Sequence, residues 1–177
     1  SDAKTHISFL AFITHDSMIQ PKLPQIFIGN QHKFTLKLLH ALSSQVPEGY
    51  YLWREESSWN NNRLMCKAMR LLAKHLKDYL TTHKLILVLD VARCHRHSKI
   101  YSLAQSLGIV LMYVPAKLTW LLQPADTHVF GRLKTRLRQL WLDLRVESAA
   151  GEVSHRDWLA AVFALVRKLL CGFQWHS

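Results

Sequence analysis

Leu85-Ile86-Leu87-Val88-Leu89-Asp90 is the stretch that decides how this chain is read. Five consecutive apolar residues, three of them Leu, end on one carboxylate. A strand that is apolar on both faces belongs inside a sheet covered by helices. Its C-terminal end is where open α/β sheets place their sites. Asp90 therefore has two claims on attention: what precedes it and where that leaves it.

Reading forward, Ser98 to Leu107 has the spacing of a helix, with Gly108 as the residue just past its end. Ile109 to Val114 is a second buried strand, and Pro115 closes it. Strand, helix and strand make a β-α-β unit, so the two strands are expected to be parallel. A loop runs to Pro124. A helix then begins near Asp126, with Val129, Leu133, Leu137, Leu140, Trp141 and Leu144 on one side. Its other side carries Arg132, Lys134, Arg136, Arg138 and Arg145. Ala149-Ala150-Gly151 break this helix. Ser154-His155-Arg156-Asp157 resembles a capping box opening a last amphipathic helix with Trp158, Leu159, Val162, Phe163, Val166 and Leu170.

Reading backward, a 3.6-residue period places Leu64, Ala68, Leu71, Leu72, His75, Leu76 and Tyr79 on one helix face, with Ser58 as the expected N-cap. Arg63, Lys67, Arg70, Lys74 and Lys77 form a basic stripe on the opposite face. A solvated helix surface is the plain reading of that stripe. Further upstream, His6 to Ile13 reads as a strand, Thr14 to Ser17 as a turn, and Gln25 to Ile28 as a second strand ended by Gly29-Asn30. The pair is expected to be antiparallel. Pro21 and Pro24 interrupt any pairing over 18–24. Residues 31–54 are ambiguous, with Tyr50 to Trp53 a candidate strand. The order, a mixed sheet first, then β-α-β, then helices, is α/β with an antiparallel part.

Composition sets the bounds. The 177 residues suit one domain, and 49% hydrophobic against 20% charged residues describe a globular chain. Lys and Arg number 23 against 12 Asp and Glu, a formal charge of +11. That excess favours a polyanionic partner, because neutralised phosphates release counterions, with an anionic membrane surface as the rival reading. No apolar run approaches the ~20 residues of a spanning helix, so no membrane span is expected, and the first 30 residues lack the pattern of a signal peptide. Cys66, Cys94 and Cys171 are odd in number and widely spaced, without a C-x-x-C. A disulfide framework and a structural zinc site are both disfavoured, and a reducing, intracellular compartment is favoured.

Asp90 and Asp126 are the carboxylates whose positions suggest chemistry. Both can reach one edge of the sheet. Mg²⁺ and Mn²⁺ take oxygen ligands, usually one or two carboxylates with phosphate oxygens and water. Two such ions ~3.5–4 Å apart activate the attacking oxygen and stabilise the leaving one in phosphodiester cleavage. The plain alternative is a turn residue at position 90 and a helix N-cap at position 126.

The residues around the two acids supply more. Asp90-Val91-Ala92-Arg93-Cys94-His95, Val114-Pro115, Thr119-Trp120-Leu121-Leu122-Gln123-Pro124-Ala125-Asp126 and Val129-Phe130-Gly131-Arg132-Leu133-Lys134 together resemble the DDE superfamily of transposases and endonucleases. The likeness is to its pogo/Tigger-like branch, which includes relatives of centromere protein B. That pattern is D-x-A-x-x-H, a strand ending in Tyr, an apolar residue and Pro, then T-x-x-x-Q-P-x-D and V-F-x-x-L-K. Thirty-five residues separate Asp90 from Asp126, within the family's range. Ser57-Ser58-Trp59 before the long helix and the early hairpin fit too, so the likeness covers about residues 5–145.

The resemblance implies an RNase H-like fold, metal-dependent DNA strand cleavage and transfer with Mg²⁺ or Mn²⁺, two ions where the acid set is complete, and a nuclear location. Asp90 stands at the second acid and Asp126 at the third, as catalytic and metal-binding residues. The first acid is expected upstream of this chain: Asp2 lies too close to the hairpin, and Asp16 lies in its turn. The family's N-terminal helix-turn-helix region is absent as well. Val91 departs from the Asn common there, and His128 lies two residues past the third acid.

His95 matches the family histidine; it can bind phosphate or brace the loop after Asp90. Cys94, His95 and His97 are too tightly spaced for tetrahedral zinc. Gln123 can orient the loop beneath Asp126. Arg132, Lys134, Arg136 and Arg138 are placed for sequence-independent phosphate contacts. Trp120 can stack on a splayed base or serve as a hydrophobic plug, while Trp141 and Trp158 are expected in the core. One domain spanning 1–177 and lacking its first strand is expected: a hairpin and connection over 1–57, an acidic-site core over 58–146 and a terminal helix over 152–173. Three functions remain open: a DNA-cleaving enzyme, a catalytically inactive nucleic-acid-binding module derived from one, and a protein-interaction domain forming a homodimer through the Trp-rich last helix.

Overall fold

The computed structural model describes residues 7–56, 61–92, 95–118, 123–148 and 151–171. Its strands form two separate sheets. In the first, β1 (Ile7–Ala11) and β2 (Gln25–Asn30) pair antiparallel, and β3 (Tyr50–Glu55) joins the far side of β2 in parallel. In the second, β4 (Leu85–Leu89) and β5 (Ile109–Tyr113) pair in parallel, Leu89 opposite Tyr113. The hairpin and the β-α-β unit are thus as the sequence predicts. The one mixed central sheet that an RNase H-like fold implies is not: among the described residues, no ladder joins β1 to β4.

β2 is the centre of the fold because both its faces are covered. Phe27 stacks on Phe9 of β1, centroids 4.6 Å apart, and meets Phe163 edge to face at 5.0 Å. That layer is made by α5 (Gly131–Glu147) and α6 (His155–Cys171), whose Leu133, Leu159, Phe163 and Val166 are buried with it. Ile26 and Ile28 alternate to the other side, as a two-residue period requires. There they pack on α2 (Asn62–His75) through Leu64, Ala68 and Leu72. The same helix turns Met65 and Met69 toward the smaller sheet, where they are buried with Leu89, Ile100 and Ile109. One helix therefore backs both sheets.

Several boundaries depart from the sequence reading. Ser58 lies outside the described residues; the cap of α2 is Asn61, whose side chain accepts the Leu64 N–H at 3.0 Å. The helix ends at His75, and Tyr79 belongs to a separate short helix, α3 (Lys77–Leu80). The ambiguous 31–54 segment holds α1 (Leu36–Leu42), capped by Thr35, as well as β3. α4 (Ser98–Ser106) follows the predicted span, and Gly108 takes φ +70° just past its end. Ser154 caps α6 through the Asp157 N–H.

Trp141 is not in the core. Its ring meets Trp158 edge to face at 5.2 Å but stays 39% exposed, and Leu133 is the buried residue of α5. α5 lies on the surface along most of its length, so its apolar stripe is only partly used. Residues 18–24 form a 3₁₀ turn at Gln20–Lys22, locked by two buried glutamines. Gln25 accepts the Phe12 N–H and returns a bond to the Phe12 carbonyl at 2.8 Å, while Gln20 accepts the Thr14 N–H at 2.7 Å. Among the described residues no helix is long and apolar enough to cross a membrane.

Candidate metal and nucleic-acid site

Asp90 follows directly on β4, where the ladder ends and the carboxylate is released from it. Its Oδ1 accepts the Ala92 N–H at 3.1 Å, which closes a tight turn after the strand. His95 Nδ1 lies 2.6 Å from the same Oδ1 and 3.3 Å from the Asp90 carbonyl. Both neighbours of Nδ1 are acceptors, so Nδ1 carries the proton and donates. The His95 side chain is 12% exposed and that of Asp90 is 37% exposed. One oxygen is thus fixed from the protein side, and no described residue hydrogen-bonds Oδ2.

β5 holds this loop in place. The Tyr113 hydroxyl donates to the His95 carbonyl at 2.7 Å, across 18 residues of sequence. Burial pushes the Tyr113 hydroxyl up from its ordinary range, against a smaller opposing pull from Arg96, so it remains a donor. The bond ties the loop after β4 to the end of its neighbouring strand. Sequence reading named this tyrosine only as part of a motif. The signal available was an aromatic hydroxyl ending the strand beside the acid.

Asp126 stands differently. It is the second residue of a π-helical turn, Ala125–Phe130, that leads directly into α5. It is therefore not the N-cap; that position is Pro124. Such a wide turn is rare and frequently found at functional sites. Its far end is anchored: Val129 is fully buried, and Phe130 meets Phe9 of β1 edge to face at 6.4 Å. Gln123 acts through its backbone carbonyl, which accepts the Asp126 N–H at 3.0 Å. Asp126 itself is exposed. The two acids thus ride on different supports, Asp90 on the small sheet and Asp126 on a turn fastened to the large one.

Arg132, Lys134 and Arg138 are exposed on α5 and Arg136 is half-buried, all within a few turns of Asp126. Trp120, with Thr119, Leu121 and Leu122, lies outside the described residues, as do Arg93 and Cys94. His97 has a structural duty: its ring nitrogen caps α4 by accepting the Lys99 N–H at 3.2 Å. That explains its place in the His-rich stretch without zinc.

The donor chemistry fits a hard divalent cation. Asp90 and Asp126 offer carboxylate oxygens, and Asp90 keeps one of its two turned away from all described hydrogen bonds. Among the described residues no group of three or more His, Cys, Asp or Glu converges as a metal cluster.

Residues 21–166, well over half of the chain, match the family described as DDE superfamily endonuclease. No curated protein and no solved structure matches. With both acids, the histidine, the tyrosine and the basic helix inside the matched span, the chain belongs to the DDE superfamily of endonucleases.

Proposed function

We propose that this chain is the core of a transposase-type nuclease domain of the pogo/Tigger-like branch, acting on DNA, with Asp90 and Asp126 as two of its metal-binding acids. The observation that carries the reading is the hold on Asp90. A carboxylate whose Oδ1 is bonded by Ala92 and His95, with Oδ2 left to one side, is arranged as an oriented ligand. A surface carboxylate serving only a turn has no need of a buried imidazole.

Asp90 and Asp126 would hold Mg²⁺ or Mn²⁺, with a third carboxylate supplied from outside the described residues. Such an ion polarises a phosphodiester and lowers the pKa of a coordinated water or hydroxyl. His95 fixes the rotamer of Asp90 through its Nδ1–H. Tyr113 holds the His95 loop. Arg132, Lys134, Arg136 and Arg138 grip the backbone phosphates without reading bases. The setting is intracellular and reducing, in the nucleus.

The incomplete ligand set among the described residues favours a second reading: a nucleic-acid-binding module, descended from the nuclease, that no longer cuts. Two measurements separate the readings. Mn²⁺ titration of the protein and of its Asp90→Asn and Asp126→Asn variants reads the metal site, and nicking of supercoiled DNA by the same proteins reads the chemistry. The nuclease reading expects Mn²⁺ affinity to fall at least tenfold in each variant, with nicking abolished and DNA binding kept. Equal Mn²⁺ affinity in all three proteins would sink it. Loss of metal binding without nicking by the parent protein would favour the binding module.

A further inference from the structure

The basic face of α2 is the strongest feature that the site above leaves unused. Arg63, Lys67, Arg70 and Lys74 are all exposed along this helix, and Lys77 continues the line on α3. The opposite side of α2 is committed to the core by Leu64, Met65, Ala68, Met69 and Leu72. From Arg63 to Lys74 the helix rises about 16 Å, at 1.5 Å per residue. B-form duplex carries about five phosphates per strand over that length.

Charge balance argues against a merely solvated surface. Such helices usually intersperse signs and pair them at i, i+4. The fourteen residues of α2 contain no Asp and no Glu. Like charges therefore face each other at 63 and 67 and at 70 and 74, an arrangement that destabilises a helix on its own. Among the described residues the one salt bridge on the stripe joins Arg63 to Glu55. Lys67 lies 4.2 Å over the Trp53 ring, which holds it on the surface without neutralising it. Glu55 and Glu56 bound the stripe at its N-terminal end.

Position gives the stripe a separate role. α2 packs on the Ile26 and Ile28 face of β2, whereas α5 and α6 pack on the Phe27 face. The cations of α2 and those of α5 therefore lie on opposite layers.

We propose that the exposed face of α2 is a second docking track for duplex DNA, gripping one run of backbone phosphates through Lys67, Arg70 and Lys74. The track rests on the proposed function for its choice of polyanion, and on its own geometry for its place. The contact is sequence-independent, so it holds flanking duplex while α5 serves the reacting segment.

The test is the salt dependence of binding to a 30-base-pair duplex, followed by fluorescence anisotropy. The variant Lys67→Gln, Arg70→Gln, Lys74→Gln is compared with a charge-keeping Lys67→Arg, Arg70→Lys, Lys74→Arg control. Arg63, paired with Glu55, is left alone. Three lost phosphate contacts lower the slope of log K against log salt by about 2.7, with affinity near 0.1 M salt falling on the order of 100-fold. The loss should be equal for unrelated duplex sequences, the control should keep the parent slope, and both variants should keep the parent Mn²⁺ affinity and circular dichroism. An unchanged slope in the neutral variant overturns the track, as does loss confined to anionic vesicles or to an acidic peptide. A track that survives in a protein without metal binding or nicking would overturn the nuclease reading alone.

Discussion

His95 donates from Nδ1 to Asp90 Oδ1 at 2.6 Å, five residues along the chain, and its own carbonyl is held by Tyr113 from the neighbouring strand. The pair is therefore not an incidental surface contact: strand, loop and strand converge to set the direction of one carboxylate.

Replacing His95 by Ala removes that direction. Mn²⁺ affinity should fall roughly 10–100-fold, the usual effect of losing a partner that orients a ligand. Stability should fall by about 1.5–3 kcal/mol, the net worth of a hydrogen bond to a charged group. His95→Asn, which can place an N–H near the lost one, should recover part of the affinity. Calorimetric titration with Mn²⁺ decides it, and equal affinity in the parent and the Ala variant would remove His95 from the site.

The four cations of α5 should behave as a phosphate grip. Changing Arg132, Lys134, Arg136 and Arg138 together to Gln should lower the salt slope of duplex binding by up to about 3.6, without altering preference among sequences. A change in sequence preference would instead point to base contacts.

Tyr50 presents the opposite case, a buried hydroxyl with no hydrogen-bond partner among the described residues. Its pKa is pushed well up, first by burial, then by Cys171, with Arg167 pulling the other way. A buried unpaired hydroxyl costs about 1–3 kcal/mol, so Tyr50→Phe should stabilise the fold, on the order of 1 kcal/mol. The sign at high pH follows from linkage. The unfolded tyrosine ionises near pH 10 and the folded one later, so the parent loses stability as pH rises above about 10. Denaturant midpoints from pH 8 to 11 should show that decline reduced in the Phe variant. Parallel curves would contradict it.

Gly29 lies in β2, and a Cβ there would sit inside the Phe34 ring. Phe34 is fully buried, so the ring cannot step aside. Gly29→Ala should cost about 1–3 kcal/mol of stability by overpacking, read by chemical denaturation. A loss below a few tenths would mean that the ring relocates.

Much of this is legible in the sequence, for physical reasons. The run Leu85 to Leu89 announces a covered strand, and a strand's end fixes where Asp90 stands. Gly108 and Pro115 bracket β5 by their own backbone limits. The hairpin was readable because β-branched and aromatic residues cluster on both sides of a turn. What escaped depended on contacts between distant residues. Tyr113 clamps a loop 18 positions away, and no local pattern encodes that. Asn61 replaces Ser58 as the expected cap because both residue types cap helices equally well. Trp141 was assigned to the core by periodicity, yet periodicity shows only that a face is apolar, not that anything covers it. The division of the strands into two sheets is a pairing fact, which no single strand carries in its own sequence.

That division has a thermodynamic consequence. Asp90 travels with β4 and β5, whereas Asp126 is fastened through Phe130 to the β1 hairpin, and among the described residues no backbone ladder fuses the two units. The amides of β4 can then exchange with solvent by sub-global opening, at lower free energy than those of β2. A cation gripped by both acids would bind only the closed arrangement and so would suppress that opening in proportion to its own affinity. Deuterium uptake by β4 and β5, with and without Mn²⁺, thus becomes a gauge of whether the two acids answer to one ion.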